Sequence, residues 1–194
     1  MLLNNSPSGL RVLLTLLTAV LMMLFVSCQP KKPPESPIEW NFESDAILID
    51  YDASADLNQY NDSPHTLILL VYQLSDAADF KSYIRTADGI KRLLNLYDRD
   101  QRKTISLEDL NDLQSFVINP GSEKQLKIDR LEDTEWVGLV AGYYNAMPEM
   151  SSAVYTIPVK KTKEGFIRKK INTRPAKLNI NINFGANAMH TTRD

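Results

Sequence analysis

Apolar and polar residues alternate strictly in the sequence LNININF near the end of the chain. Leu178, Ile180, Ile182 and Phe184 occupy every second position, and asparagines stand between them. Successive side chains of a β-strand point to opposite faces. The pattern therefore predicts a strand with one buried face and a row of asparagines facing water, whereas a helix would spread the same residues around its circumference.

Other apolar runs have the length of strands and are separated by turn residues. The longest, residues 66–74 (TLILLVYQL), predicts a strand buried on both faces, although periodicity alone leaves a short helix open. Residues 135–144 contain Gly138 and Gly142, where a bulge or a close contact is expected. Strands are also predicted at residues 46–51, 115–118, 124–128, 153–159 and 166–171. This spacing predicts a mainly β fold, a sandwich of two sheets.

One stretch between these strands has a helical pattern. In residues 76–97 the apolar positions recur at helical spacing, and they are Phe80, Ile84, Ala87, Leu94 and Tyr97. We expect Asp88-Gly89 to divide the stretch into two short helices, and its aromatic side chains to pack against a sheet. A small helical insertion is therefore predicted at about residues 76–112.

The N-terminal part changes from apolar to polar at Cys28, the only cysteine in 194 residues. Residues 12–26 are apolar except for two threonines, and the run is shorter than the roughly 20 residues of a transmembrane helix. The layout is typical of a secretory signal, and an uncleaved anchor helix is the alternative. Residues 29–37 (QPKKPPESP) hold four prolines, which predicts an extended spacer outside any core.

The stretch LFVSC, which ends at Cys28, resembles the bacterial lipoprotein signal called the lipobox. The resemblance implies cleavage before Cys28 and acyl chains on its sulfur and its new amino group, so a covalent lipid is expected and no cofactor. Phe25 stands where the signal usually has leucine. Gln29 stands where aspartate would favour retention at the inner membrane, so the analogy points to the outer membrane, with the domain facing the periplasm.

These features predict four segments along the chain. They are a signal peptide (1–27), the lipidated cysteine with a proline-rich tether (28–44), a β-sandwich domain (45–185) and a C-terminal tail (186–194). After cleavage and apart from the tether, the remaining length is normal for one domain.

Charge is distributed unevenly, although the formal net charge is only −2. Residues 160–177 carry eight basic residues and one acidic residue, whereas residues 28–159 carry 12 basic and 22 acidic residues. No nucleic-acid recognition motif accompanies the basic segment, and no nucleic-acid partner is expected. We interpret the segment as a solvated hairpin with a charged face; contact with a membrane surface or an acidic partner is the alternative.

Patterns that carry catalysis or metal binding are missing from the sequence. Residues 98–109 begin like a calcium loop, but Arg102 and Lys103 stand where a ligand and a turn glycine are required. His65 and His190 lack the spacing of a zinc site, and no nucleophile elbow or phosphate-binding loop is present. We therefore predict no enzyme activity, no catalytic residue, no metal site and no small-molecule substrate.

Several short stretches, taken in order and spacing, resemble the TssJ (SciN, VasD) family, the outer-membrane lipoproteins of the type VI secretion system. They are VYQL (71–74), DAADF (76–80), LYDRD (96–100), FVINPG (116–121), WVGLVA (136–141) and LNI (178–180). The chain departs from the family around residues 86–92 and 160–177. The resemblance implies a transthyretin-like β-sandwich with an added helical element. It also implies that the protein fixes a trans-envelope complex to the outer membrane by binding the periplasmic C-terminal domain of TssM, and through TssM, indirectly, TssL.

The resemblance further implies that the loop between the first two strands, residues 52–65, contributes to this binding. Leu57 and Tyr60 are the candidate anchors, since a tyrosine on an exposed loop buries area at low entropic cost. Tyr60 folded back onto its own sheet is the alternative. The predicted partner-binding set is completed by Asn58, Gln59, Asn61 and Asp62.

Two other classes of function remain open. A lipid-anchored binder of glycan or peptidoglycan would need exposed aromatic side chains as a stacking platform, and the chain has only two tryptophans, Trp40 and Trp136. A periplasmic enzyme would need a cleft with converging polar groups.

Overall fold

The computed structural model describes residues 36–96, 107–164 and 170–193. Within these ranges the strands are β1 (Glu43–Ala53), β2 (Leu67–Leu74), β3 (Leu110–Ile118), β4 (Glu123–Arg130), β5 (Trp136–Ala141), β6 (Ser152–Thr156), β7 (Val159–Glu164), β8 (Lys170–Pro175), β9 (Leu178–Phe184) and β10 (Met189–Arg193). One sheet has the order β10-β9-β1-β4 and the other β3-β2-β5-β6, while β7 and β8 form a two-stranded hairpin. The prediction of a mainly β fold with two sheets is confirmed.

The main core lies between the two sheets. The alternation in β9 is confirmed, because Leu178, Ile180, Ile182 and Phe184 are all buried, and the ring of Phe184 meets that of Tyr51 edge-on, with centroids 5.8 Å apart. β9 runs parallel to β1, so the two strands place their apolar side chains on the same inner face.

A second core covers the outer face of β2 and β5. Helices α1 (Ala78–Tyr83) and α2 (Ala87–Asn95) lie there, and Phe80 and Leu93 are completely buried. The hydroxyl of Tyr72 donates to the carbonyl of Leu93 at 2.6 Å, so the buried phenol keeps a partner. Seven of the eight residues of β2 are buried, as predicted for a strand covered on both faces. A Cβ at Gly138 would lie 2.4 Å from the Phe80 ring, which confirms the predicted close contact.

The break between the two helices differs from the prediction. It falls at residues 84–86, and Gly89 lies inside the first turn of α2. The side chain of Thr86 caps α2 by accepting from the backbone N–H of Gly89 at 3.0 Å. A Cβ at Gly89 would lie 1.9 Å from the carbonyl oxygen of Tyr83. Glycine is therefore needed here for close approach of two backbones rather than for a turn.

The segment predicted as a C-terminal tail contains a strand. β10 pairs antiparallel with β9, and its Met189 enters the core, so His190 lies in a strand and not in a tail. A third short helix, α3 (Pro148–Ser151), has no counterpart in the sequence prediction. Most of the calcium-like loop 98–109 and most of the predicted strand 166–171 lie outside the described residues.

The sandwich has two ends with different contents. The loop end, defined by the end of β1 at Ala53 and the start of β2 at Leu67, carries the β1–β2 loop and the exits of β5 and β9. The tether end, defined by the start of β1 at Glu43 and the end of β2 at Leu74, carries the start of the described chain and the β7–β8 hairpin. Within the described ranges no helix has the length and apolarity needed to cross a membrane.

Candidate docking site at the loop end

The β1–β2 loop, residues 54–66, is fixed to the sandwich by one apolar side chain. Leu57 is completely buried in the main core, and its carbonyl accepts from the backbone N–H of His65 at 2.9 Å. The sequence suggested Leu57 as an exposed anchor for a partner. The structure instead makes it the core residue that holds the loop down, so it offers no surface for docking.

Asn58 connects three segments at the loop end. Its Nδ2 donates to the carbonyl of Thr66 at 3.0 Å, and its Oδ1 accepts from the backbone N–H of Tyr144 at 2.8 Å. Its own backbone N–H points to the carbonyl of Gly185 at 3.5 Å. The side chain is buried, and the backbone has a φ of 47°. Asn58, which the sequence analysis placed in the partner-binding set, is therefore buried and connects the segments of the loop end. Asparagine suits the place because it tolerates the left-handed conformation.

Tyr60 stands at the start of a very tight hairpin. Tyr60 and Ser63 exchange two backbone hydrogen bonds, of 2.9 and 3.1 Å. The two residues between them, Asn61 and Asp62, both have positive φ, 49° and 56°. Positive φ at both central residues is the mark of a type I′ turn, which asparagine and aspartate favour. Gln59 is tied to the β9–β10 turn through its backbone N–H, which donates to Ala186 at 2.8 Å.

The ring of Tyr60 lies on the ring of Tyr144, with centroids 3.8 Å apart and an interplanar angle of 33°. The ring of His65 also lies near Tyr60, with the two centroids 5.8 Å apart. Both tyrosines stay accessible, at 36% exposed for Tyr60 and 61% for Tyr144. Tyr60 thus neither folds onto its own sheet nor projects freely, because it stacks on a second exposed tyrosine. We call Tyr60 and Tyr144 the aromatic pair.

Hydrogen bonding changes the acidity of the two phenols in opposite directions. The contact with the Tyr144 side chain, and then that with Asn61, lowers the pKa of Tyr60 below its ordinary value. The same contact with Tyr60 raises the pKa of Tyr144. The two phenol groups therefore lie close enough to change each other's acidity.

Two more apolar side chains are exposed close to this end of the second sheet. Ile68, in the second position of β2, is 41% exposed, and Val117 faces it across the β2–β3 pairing at 64% exposure. The helices cover the same face of β2 farther along, at Leu70 and Tyr72, but not here. The loop end thus combines aromatic and aliphatic side chains with the polar side chains of Gln59, Asn61 and Asp62, which are all exposed.

Sequence reasoning missed Tyr144 and His65 as members of the site. Tyr144 lies 84 positions after Tyr60 and joins it only because β5 ends beside the start of β2. The pair of tyrosines that follows β5, Tyr143 and Tyr144, is the signal that was available: Tyr143 enters the core, and Tyr144 turns outward.

The site has the composition of a binding surface. Within the described ranges, no three His, Cys, Asp or Glu residues lie close enough to hold a metal ion. The aromatic pair and its exposed neighbours Gln59, Asn61 and Asp62 supply ring faces, amides and one carboxylate. Such an arrangement can bury area against another protein.

Comparison with solved structures identifies relatives of the same fold. TssJ1, a type VI secretion lipoprotein from Pseudomonas aeruginosa, matches with a TM-score of 0.52 and 20% identity, covering 79% of this chain and 96% of that one. Lip from Serratia marcescens, a membrane-bound component of the type VI secretion system, matches with a TM-score of 0.52 and 19% identity over 75% and 96% of the two chains. A chain in a structure of the TssM C-terminal domain from EAEC matches with a TM-score of 0.51 and 14% identity over the same shares.

A comparison with curated protein sequences finds no match. A family model, in contrast, matches residues 45–187, which include most of β1, all of β2 to β9 and the β1–β2 loop, and which end before β10. That family, T6SS-SciN, is described as type VI secretion lipoproteins and includes VasD, EvfM and TssJ; it is not an enzyme family. On this match, which takes in most of the sequence and agrees with the two-sheet fold, the chain belongs to the T6SS-SciN family of type VI secretion lipoproteins.

Proposed function

We propose that this protein is an outer-membrane lipoprotein, anchored by acyl chains on Cys28, that binds the periplasmic C-terminal domain of TssM through its loop end. The observation that carries the docking proposal is the aromatic pair, two stacked and exposed tyrosines held by a buried asparagine. Binding to TssM would fix the secretion complex to the outer membrane and would link the protein indirectly to TssL.

The aromatic pair has the properties of a binding hot spot. Hot spots are enriched in tyrosine, and rigid side chains lose little entropy when a partner binds. Here the I′ turn fixes Tyr60, and the hydrogen bond to Asn58 fixes the backbone of Tyr144. A chain in a structure of the TssM C-terminal domain has the same fold as this protein, which supports TssM as the partner to test.

The arrangement of the two ends supports the proposed topology in the envelope. The described chain starts at the tether end, where Ser36 lies, and the aromatic pair lies at the opposite end. A lipid on Cys28 would hold the tether end near the membrane and leave the loop end free for a partner. Stable anchoring needs more than one acyl chain, as a lipoprotein modification supplies.

The docking proposal is tested by measuring the affinity of residues 28–194, carrying Cys28→Ser, for the purified periplasmic C-terminal domain of TssM. We expect the double variant Tyr60→Ala/Tyr144→Ala to weaken binding at least about 30-fold, the loss typical of a hot spot. Phe42→Ala is the matched control, since Phe42 is an aromatic residue, 52% exposed, at the tether end. Equal affinity of the double variant and the control would reject the loop end as the docking site.

The anchoring proposal has its own test, which does not involve TssM. Mass spectrometry of the mature protein should show cleavage before Cys28 and the added mass of the acyl chains. Cys28→Ser should move the protein from the outer-membrane fraction to the soluble periplasmic fraction. A mature protein with a free thiol at Cys28 would reject the anchor and, with it, the sorting role proposed for Gln29.

A glycan-binding role is the second candidate, because the exposed ring face of Tyr144 could stack on a sugar. Trp40 and Trp136 do not supply such a platform: Trp40 packs against the main core, and the ammonium of Lys81 sits 3.7 Å above the ring of Trp136. Co-sedimentation with purified peptidoglycan separates the two roles. Binding that is lost in Tyr144→Ala would favour the glycan.

A further inference from the structure

The described chain begins against the β7–β8 hairpin. The backbone N–H of Ser36 donates to the carbonyl of Ile171 in β8 at 3.1 Å, and its hydroxyl approaches the same oxygen at 3.3 Å. Cys28 precedes Ser36 by eight residues, and a chain of that length spans at most about 29 Å. A lipid on Cys28 would therefore keep the hairpin within that distance of the bilayer surface.

The hairpin presents basic side chains to solvent. Lys160, Lys161, Lys163 and Arg174 are all exposed. Lys160 and Arg174 are direct partners across the two strands, so they share one face. Like charges placed opposite each other destabilise a sheet. Among the described residues, neither Lys160 nor Arg174 has a carboxylate within ion-pair distance, so no ion pair offsets the repulsion between these two side chains.

Two acidic residues lie close to the face that carries Lys160 and Arg174, and one of them is already paired. Lys160, Arg174 and Arg130 line a hollow of about 400 Å³ together with Glu39 and Glu43. The carboxylate of Glu43 lies 3.2 Å from the guanidinium of Arg130, which is almost completely buried. Of the described acids that line this hollow, Glu39 is the one left against Lys160 and Arg174, so positive charge exceeds negative charge among its lining residues.

We propose that the β7–β8 hairpin binds the anionic phosphate groups of lipid heads and so orients the domain on the membrane. The proposal rests on the lipid anchor of the proposed function, because the tether brings the hairpin to the surface. The remainder of the mature chain, with 22 acidic and 12 basic residues before position 160, is repelled by the same surface. The anionic lipid heads attract the hairpin and repel the rest of the domain. The domain therefore favours the orientation in which the hairpin faces the membrane.

This orientation points the docking site away from the bilayer. β1 runs from the tether end to the loop end over 11 residues, which is about 35 Å of strand. A surface potential decays over a Debye length of about 8 Å at physiological salt. The aromatic pair would therefore lie outside the field of the lipid heads, where a periplasmic partner can reach it.

The test measures binding of residues 28–194, carrying Cys28→Ser, to vesicles by co-sedimentation. This form contains every described residue and lacks the acyl chains, so the hairpin acts alone. We expect binding to mixed phosphatidylcholine–phosphatidylglycerol vesicles, no binding to pure phosphatidylcholine vesicles, and loss of binding at high salt. Lys160→Gln/Arg174→Gln should weaken binding about 30-fold, the factor expected for two basic residues at about 1 kcal/mol each.

Lys124→Gln/Lys127→Gln is the matched control, since it removes two exposed basic residues from β4 and leaves the hairpin intact. We expect it to bind like the parent form. Equal loss in both double variants, or equal binding to neutral vesicles, would overturn the proposal. Absence of binding to any vesicle would also overturn it and would favour an acidic protein as the partner of the hairpin. Because the assay contains neither TssM nor acylated protein, a negative result leaves the proposed function standing.

Discussion

The side-chain oxygen of Asn58 accepts a hydrogen bond from the backbone N–H of Tyr144 at 2.8 Å. This bond joins the β1–β2 loop to the segment after β5, and those two segments supply the two rings of the aromatic pair. A buried amide, rather than the exposed ring contact alone, therefore sets the spacing of the proposed docking site.

Asn58→Ala is expected to lower the free energy of unfolding by about 2–4 kcal/mol. The change leaves a carbonyl and an N–H without partners and places an alanine at positive φ. Urea denaturation measures the loss. Asn61→Gly is the control, because Asn61 has a similar φ but is exposed, and glycine adopts that conformation readily. Equal stability of Asn58→Ala and the wild type would contradict the positioning role.

Gly138→Ala should destabilise the second core by about 1–3 kcal/mol, as overpacking usually does. The added methyl would lie 2.4 Å from the ring of Phe80, which is completely buried. The melting temperatures of Gly138→Ala and the wild type measure this loss of stability. Gly185→Ala, whose Cβ would come no closer than 3.4 Å to its neighbour, should stay near the wild type. A fully stable Gly138→Ala would mean that α1 can shift on the sheet.

Thr86→Ala should lower the stability by about 1 kcal/mol, because it removes the N-cap of α2. Thr86→Ser keeps the capping oxygen and should restore most of the loss. Chemical denaturation of the three proteins side by side measures both effects. An alanine variant as stable as the serine variant would show that the close approach at Gly89, and not the cap, fixes the helix start.

The carboxylate of Asp129 should make the stability fall in acid. It accepts from the backbone N–H of Asp45 and from the hydroxyl of Ser44, both at 2.9 Å, and these bonds lower its pKa. A lowered folded pKa stabilises the native state above the unfolded value of about 3.9, and the benefit is lost as the pH falls through the folded value. Asp129→Asn should therefore flatten the fall of the melting temperature below about pH 4.

The measurement is a series of melting temperatures from neutral pH into the acid range. Asp52→Asn, which removes an exposed carboxylate near the other end of β1, serves as the control and should keep the wild-type slope. A steeper acid transition in Asp129→Asn than in the wild type would contradict the assigned hydrogen bonds.

The sequence predicted the parts of the molecule in which burial follows a strict period. The alternation in β9 has one structural solution, so its buried face could be read directly. The apolar run of β2 indicated a strand covered on both faces, but its period also allowed a short helix. Leu57 could not be placed this way, because a single leucine in a polar loop has no period. β10 was not predicted, because its short sequence has no clear strand pattern. It forms a strand through its pairing with β9.

Only part of the proposed docking site could be predicted from the sequence, for a related reason. Tyr60 could be proposed from its loop, but Tyr144 reaches it through strand order, which no local pattern encodes. The same holds for the meeting of Ser36 with β8 at the tether end.

The parallel pairing of β1 with β9 also dictates when the domain can fold. β1 lies near the start of the sandwich sequence and β9 near its end, so the middle of the first sheet closes only after nearly all of the chain is present. Contacts between such distant segments form slowly, because a long loop must be closed first. A chain exported from its N-terminus would thus stay unfolded during passage and complete its core only on the far side.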